Sequence, residues 1–178
     1  MRLIMLRVKK THKGFTLIEL LVVIAVIGLM SSVIMVSLNS ARLKARNAKR
    51  IADLLQIRTA LELYNLDLGS YPTTNGWRSQ CAGWGSYDQA QVAPGLVPNY
   101  IASMPADPST GCYIYNSDGI SYKFLERGIP DMTLTDVNGQ FSAYKDLARN
   151  DLASTPPCNV PDSNISLSIW NTQTSMCW

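Results

Sequence analysis

Histidine is all but missing from this chain. The only one is His12, so any mechanism that uses an imidazole would have to be built within the first few residues. Acid is missing from the first 14 residues, which hold Arg2, Arg7, Lys9, Lys10 and Lys13. Proline is missing between residues 15 and 71, and a stretch without that breaker can run as uninterrupted helix. Cysteine is missing before Cys81. The set Cys81, Cys112, Cys158 and Cys177 contains no CxxC pair and no nearby histidine, which excludes the usual zinc arrangements. There is no Gly-rich phosphate loop either. What remains for catalysis is carboxylates without a visible partner, so the sequence speaks against an enzyme.

The length, 178 residues, suits one domain with its own core plus an appendage, and 47% hydrophobic with 16% charged residues suits a folded chain that carries a membrane segment. The formal charge of +3 is unevenly spread. Without the first 14 residues the balance is 11 basic against 13 acidic, or −2, and from Ile51 onward it is 6 against 12, or −6. The folded part therefore has no bulk charge with which to hold nucleic acid.

Residues 15–36, FTLIELLVVIAVIGLMSSVIMV, form a 22-residue apolar run with Glu19 as its one charge. As a helix it would span roughly 33 Å, enough for a bilayer core. A secretory signal would place its small residue after the apolar run; here Gly14 precedes it, so a cut there would leave the helix on the product. Arg42, Lys44, Arg46, Lys49 and Arg50 balance the basic leader, and charge counting leaves orientation open. The cysteines decide it, because an even set read as disulfides needs an oxidising side. The leader is then cytoplasmic and the C-terminal part outside. Three connectivities are possible. Cys81 with Cys112 and Cys158 with Cys177 is favoured, since the second pair would staple a Pro- and Ser-rich tail.

Glu19 is what a plain anchor does not explain. An acidic residue at the centre of a membrane helix costs about 2.5 to 3.5 kcal/mol, and somewhat less near the end. A cut after Gly14 would create an α-amino group on Phe15, with a reference pKa of about 7.7 to 8.0, as a partner for that carboxylate. The partner can belong to the same helix or to a neighbouring subunit; the alternative is a carboxylate that snorkels to the headgroups.

The run Lys13-Gly14-Phe15-Thr16-Leu17-Ile18-Glu19-Leu20-Leu21 resembles the cleavage and methylation signature of type IV prepilins and of the pseudopilins of type II secretion systems. The resemblance implies cleavage after Gly14 by a membrane prepilin peptidase and N-methylation of Phe15. It also implies that Glu19 neutralises a neighbour's N-terminus during assembly on an inner-membrane platform. One departure stands out: many members have proline where this chain has Val36, so the local helix melting associated with that proline is in doubt here. Gly28, Ser31 and Ser32 are either a flexible point or small residues for close helix packing.

Beyond the apolar run, Ile51, Leu54, Ile57, Leu61, Tyr64 and Leu68 recur at three- and four-residue spacing, an amphipathic continuation over residues 37–68 that stops at Gly69 and Pro72. The basic residues from Arg42 to Arg50 are either a solvated helix face or a set that pairs between subunits with the acidic head. Residues 69–111 read as an ordered connection without regular structure. Their Tyr71-Pro72-Thr73-Thr74 and Met104-Pro105-Ala106-Asp107-Pro108 are similar to the αβ-loop of major pseudopilins and related pilins. Cys112–Tyr115 and Ile120–Leu125 flank an Asp-Gly turn as a hairpin. Met132–Thr135 and Phe141–Ala143 supply one or two further strands, and the alternating run from Ile165 to Trp170 a last one. The fold class is α+β and type IV pilin-like: a leader (1–14), a membrane-spanning half-helix (15–36), its amphipathic continuation (37–68) and a small antiparallel head with a stapled tail (69–178). Asp118, Asp131, Asp136 and Asn138 are weak calcium candidates, more readily explained as turn formers, and no other cofactor is indicated.

The leading function is that of a structural subunit of a type IV pilus, a homo-oligomer whose helices leave lipid for an equally apolar bundle. It is favoured over its alternative by the long C-terminal region with Cys158 and Cys177. The alternative, favoured by the αβ-loop, is the major pseudopilin of a type II secretion system. The assembled form is a surface filament in the first case and a periplasmic pseudopilus in the second. A third reading, a membrane-anchored exported binding protein, comes last. Direct nucleic-acid binding is not expected of so acidic a head.

Overall fold

The computed structural model describes residues 14–83, 85–88, 91–148, 158 and 165–178; the leader with His12 and Lys13, and Trp84, lie outside them. The chain divides into two compact units, Met1–Arg42 and Leu43–Trp178.

One helix, α1 (Leu17–Leu68), starts in the first unit and ends in the second. No proline interrupts it, and it stays helical through residue 36. Its described side chains from Leu17 to Met35 are all exposed. An 18-residue window in it reaches a mean hydropathy of 2.7 with none of it buried, so the helix is long and apolar enough to cross a membrane. The two serines of this stretch satisfy their hydroxyls within the helix: Ser31 donates to the carbonyl of Ile27 (2.7 Å) and Ser32 to that of Leu29 (2.8 Å). At the far end Gly69 takes a φ of +74° and donates to the Asn65 carbonyl at 2.8 Å, a left-handed stop that suits glycine.

In the second unit α1 buries Leu54, Ile57 and Leu61 completely, at the i, i+3, i+7 spacing of a single face. They join Tyr113, Tyr115, Tyr122, Phe124, Leu167 and Ile169 in one core. Each such side chain contributes about 1.5 to 3 kcal/mol on burial. The aromatic and aliphatic residues facing the helix come from β3 (Cys112–Ser117), β4 (Tyr122–Arg127) and β5 (Ser166–Trp170), which follow β1 (Arg78–Ser79) and β2 (Ser86–Tyr87) in the chain. Sheet order is β2-β1-β3-β4-β5. β3 and β4 pair antiparallel from Cys112 opposite Arg127 to Ser117 opposite Tyr122. The turn between them is closed by Asp118, whose Oδ1 accepts from the amides of Ile120 (2.9 Å) and Ser121 (2.6 Å), with Gly119 at φ +95°.

The structure corrects the sequence reading in three places. The sheet is mixed, because β1 and β2, in the segment read as irregular, pair in parallel. The strands expected at Met132–Thr135 and Phe141–Ala143 are instead the short helix α2 (Leu134–Asn138) and a 3₁₀ turn at Ser142–Tyr144. The physical reason is a capping box: Thr133 Oγ1 accepts from the Asp136 amide while Asp136 accepts from the Thr133 amide, which commits the segment to helix. A further short helix, α3 (Gln173–Met176), starts on the same device at Thr172 and Ser175.

Candidate functional site

Gly14, Phe15 and Thr16 lie just ahead of α1, and Phe15 is 84% exposed. Glu19 sits in the first turn, where Thr16 donates to its Oε2 from both the backbone amide (2.8 Å) and the hydroxyl (2.7 Å). The Glu19 amide returns a bond to Thr16 Oγ1 at 3.3 Å. Thr16-Leu17-Ile18-Glu19 is therefore a capping box, a signal present in the sequence that the reading above passed over. With the chain continuous through Gly14, the carboxylate's partner is Thr16 rather than an ammonium group. Phe15, Ile18, Glu19, Val22 and Val23 line an open groove that is apolar but for that carboxylate.

In the second unit three of the five basic residues make ion pairs, and one of them, Arg50, is buried. Arg46 pairs with Asp131 at 2.8 Å and Lys49 with Asp53 at 2.8 Å. Arg50, with no exposed side-chain surface, donates from Nε to Asp107 Oδ2 and Glu126 Oε1 (2.7 Å each). It also donates from Nη1 to Asn47 (2.6 Å) and from Nη2 to Ser109 (2.7 Å) and Asp131 (3.3 Å). The helix, the αβ-loop and β4 meet on this guanidinium. Each of its three nitrogens has an acceptor, as a buried cation needs. So Arg46 and Arg50 pair with acids in the head of their own chain and Lys49 with Asp53 one turn along α1, while Arg42 and Lys44 are exposed.

Arg50 faces three carboxylates here, of which Asp131 is shared with Arg46, and the acids divide the load. Burial, followed by the neighbouring Asp107, pushes Glu126 up to about 9. Its Oε2 has no hydrogen-bond partner, which makes a buried negative charge on it costly. Burial acts against ionised Asp107 too, but hydrogen bonds from Glu126, Arg50 and the amides of Ser109 and Gly111 outweigh it and hold Asp107 well below the usual carboxylate range. The group is an anionic Asp107 and a protonated Glu126 held on Arg50.

Cys81 is bonded to Cys112, with Cα atoms 5.9 Å apart, and Cys158 to Cys177, at 5.1 Å. The first pair ties the αβ-loop to the start of β3; the second closes the C-terminal segment. The four calcium candidates are dispersed. Asp118 caps the β3–β4 turn, Asp131 takes Arg46 and Arg50, Asp136 caps α2, and Asn138 ends α2. Among the described residues no three His, Cys, Asp or Glu side chains group so as to hold a metal ion.

A long helix, apolar all round in its first part and roofed by a small mixed sheet in its second, is the build of a type IV pilin-like subunit. Comparison with known proteins narrows the class. The prokaryotic N-terminal methylation motif matches residues 9–35, which include Gly14, Phe15 and Glu19, and the family described as type II secretion system protein G matches residues 37–128. Relatives named type II secretion system core protein G include that of Escherichia coli (strain K12), 31% identical over 147 residues covering 80% of this chain and 93% of that protein. That of Klebsiella pneumoniae is 30% identical over 160 residues (89% and 94%) and that of Aeromonas hydrophila 38% identical over 119 residues (62% and 77%). No solved structure matches significantly. The chain belongs to the type II secretion system protein G family, a family of structural pseudopilin subunits and not of enzymes. The pilus reading placed first above gives way to its alternative. Cys158 and Cys177, which had favoured a surface pilin, lie past residue 128, where the family match ends, and so add to the pseudopilin core without changing it.

Proposed function

We propose that this chain is the major subunit of a secretion pseudopilus: cut after Gly14, N-methylated on Phe15, held in the inner membrane with its head on the periplasmic side, and polymerised through α1. Family membership supports the secretion role, and the apolar first half of α1 supports the anchor. The observation that carries polymerisation is the outward face of the second half of α1. A soluble amphipathic helix turns polar residues to water. Here Ala45, Ala48, Ala52, Leu55, Leu63 and Leu66 are all exposed, at three- and four-residue steps except where Thr59 intervenes. This second apolar face lies opposite Leu54, Ile57 and Leu61 and suits a neighbouring subunit's helix rather than solvent.

Deleting the gene in its host and following secreted proteins tests the role. Secreted proteins should accumulate inside the cell, with surface fibres unaffected. Loss of long surface fibres with secretion intact would return the chain to the pilus reading.

A further inference from the structure

Lys123 is the buried cation that the assembly reading does not use. β4 alternates its side chains, so Tyr122, Phe124 and Glu126 face α1 and its core while Lys123 and Leu125 face the other way, and Lys123 through Glu126 are all fully buried. What meets Lys123 on that outer face is the C-terminal segment. Its Nζ donates to Asp146 Oδ1 (2.7 Å) and to the main-chain oxygens of Met176 (2.7 Å) and Trp178 (3.0 Å). A buried ammonium needs acceptors for its three donors, and these are among them. Asp146 is itself fully buried, and its Oδ1 also accepts from the amide of Ala148 (3.0 Å).

The two main-chain oxygens belong to the residues on either side of Cys177, whose sulfur is bonded to Cys158. Around that bond Ala148, Cys158 and Met176 form a small core of their own, with Leu147, Trp170 and Cys177 against it, separate from the one under α1. A buried ammonium that loses acceptors is left with a large uncompensated desolvation cost. The position of the segment that supplies two of these acceptors therefore bears directly on whether Lys123 can stay buried.

We propose that the C-terminal segment is an oxidation-dependent clasp. Closing the Cys158–Cys177 disulfide fixes the main-chain oxygens of Met176 and Trp178 on Lys123, and the outer face of the sheet is completed only where thiols are oxidised. In that step the two thiols lose two protons and two electrons as the S–S bond forms, and a protein disulfide of the exporting compartment accepts the electrons and becomes a dithiol. The biological sense of the clasp rests on the periplasmic head proposed above; its chemistry does not, and it is tested on the purified full-length chain in detergent.

The measurement is amine acylation read by peptide mass spectrometry, with backbone hydrogen exchange across β3 and β4 on the same samples. In the oxidised chain Lys123 is protected while exposed Lys44 reacts. In the Cys158→Ser/Cys177→Ser variant we expect Lys123 to react like Lys44, with the β3 and β4 amides still protected. In the Cys81→Ser/Cys112→Ser variant Lys123 should stay protected. Lys123 unreactive in the first variant overturns the clasp. So does joint loss of amide and Lys123 protection, since the segment would then be part of the global fold and not a separable device. Neither result bears on whether the chain forms a pseudopilus.

Discussion

Arg50 Nε lies 2.7 Å from Glu126 Oε1, and neither side chain has any exposed surface. The contact joins the helix that carries assembly to the central hairpin of the head, across 76 residues of sequence. Removing one member of such a pair strands the others. Arg50→Met should destabilise the head by about 3 to 5 kcal/mol, because buried Asp107 loses its cation and Asp131 is left to Arg46 alone. Chemical unfolding of the full chain in detergent, followed by tyrosine and tryptophan fluorescence, measures it. A loss under about 1 kcal/mol would mean that the cluster is not a cornerstone of the head.

The same cluster sets a pH dependence. Glu126 is held up at about 9 against an ordinary 4.5, so the folded state keeps a proton that the unfolded chain gives up. A group raised in this way contributes its stability fully below the unfolded value and loses it as pH climbs toward the folded one. Between about pH 5 and 9 the melting temperature should fall with rising pH. Glu126→Gln, which keeps a neutral side chain in place, should flatten that slope. Asp107 acts in the opposite sense, since its lowered value makes its contribution vanish only in strong acid. A wild-type melting curve flat from pH 5 to 9 would show Glu126 ionised in the fold.

The exposed face of α1 makes a separate prediction. Ala52 points away from the head, so Ala52→Arg should leave head stability within about 0.5 kcal/mol while it places a charge where a neighbouring helix would pack. We expect a folded, membrane-held subunit that fails to polymerise, scored by shearing and sedimentation. Normal fibres would remove the second apolar face from the interface.

Glu19 now has two candidate duties, capping its own helix through Thr16 and pairing with a processed N-terminus. The substitutions separate them. Glutamine serves a capping box as well as glutamate, whereas valine serves neither purpose. If charge pairing drives assembly, Glu19→Gln and Glu19→Val should both be processed and both fail to assemble. Assembly by the glutamine variant would assign the residue to capping.

What could be read in the sequence was local. The membrane run, the amphipathic stripe from Leu54 to Leu61, the Asp118-Gly119 hairpin and the strand ending at Trp170 each carry their period or turn within a few residues. The segment after Met132 carries its signal too, since Thr133 and Asp136 have the spacing of a capping box. The Arg50 cluster could not be found this way. Its partners stand 57, 76 and 81 residues away, and nothing local distinguishes Arg50 from the exposed Arg42. Lys123 was opaque for the same reason, because its acceptors include an aspartate 23 residues on and two distant main-chain oxygens.

The central claim is a subunit made by a cut before Phe15 and held by the helix behind it. Intact-mass spectrometry of the protein recovered from membranes or sheared fibres tests it most directly. The account predicts a chain beginning at N-methyl-Phe15, with both disulfides closed. A chain recovered uncut from Met1 would contradict it.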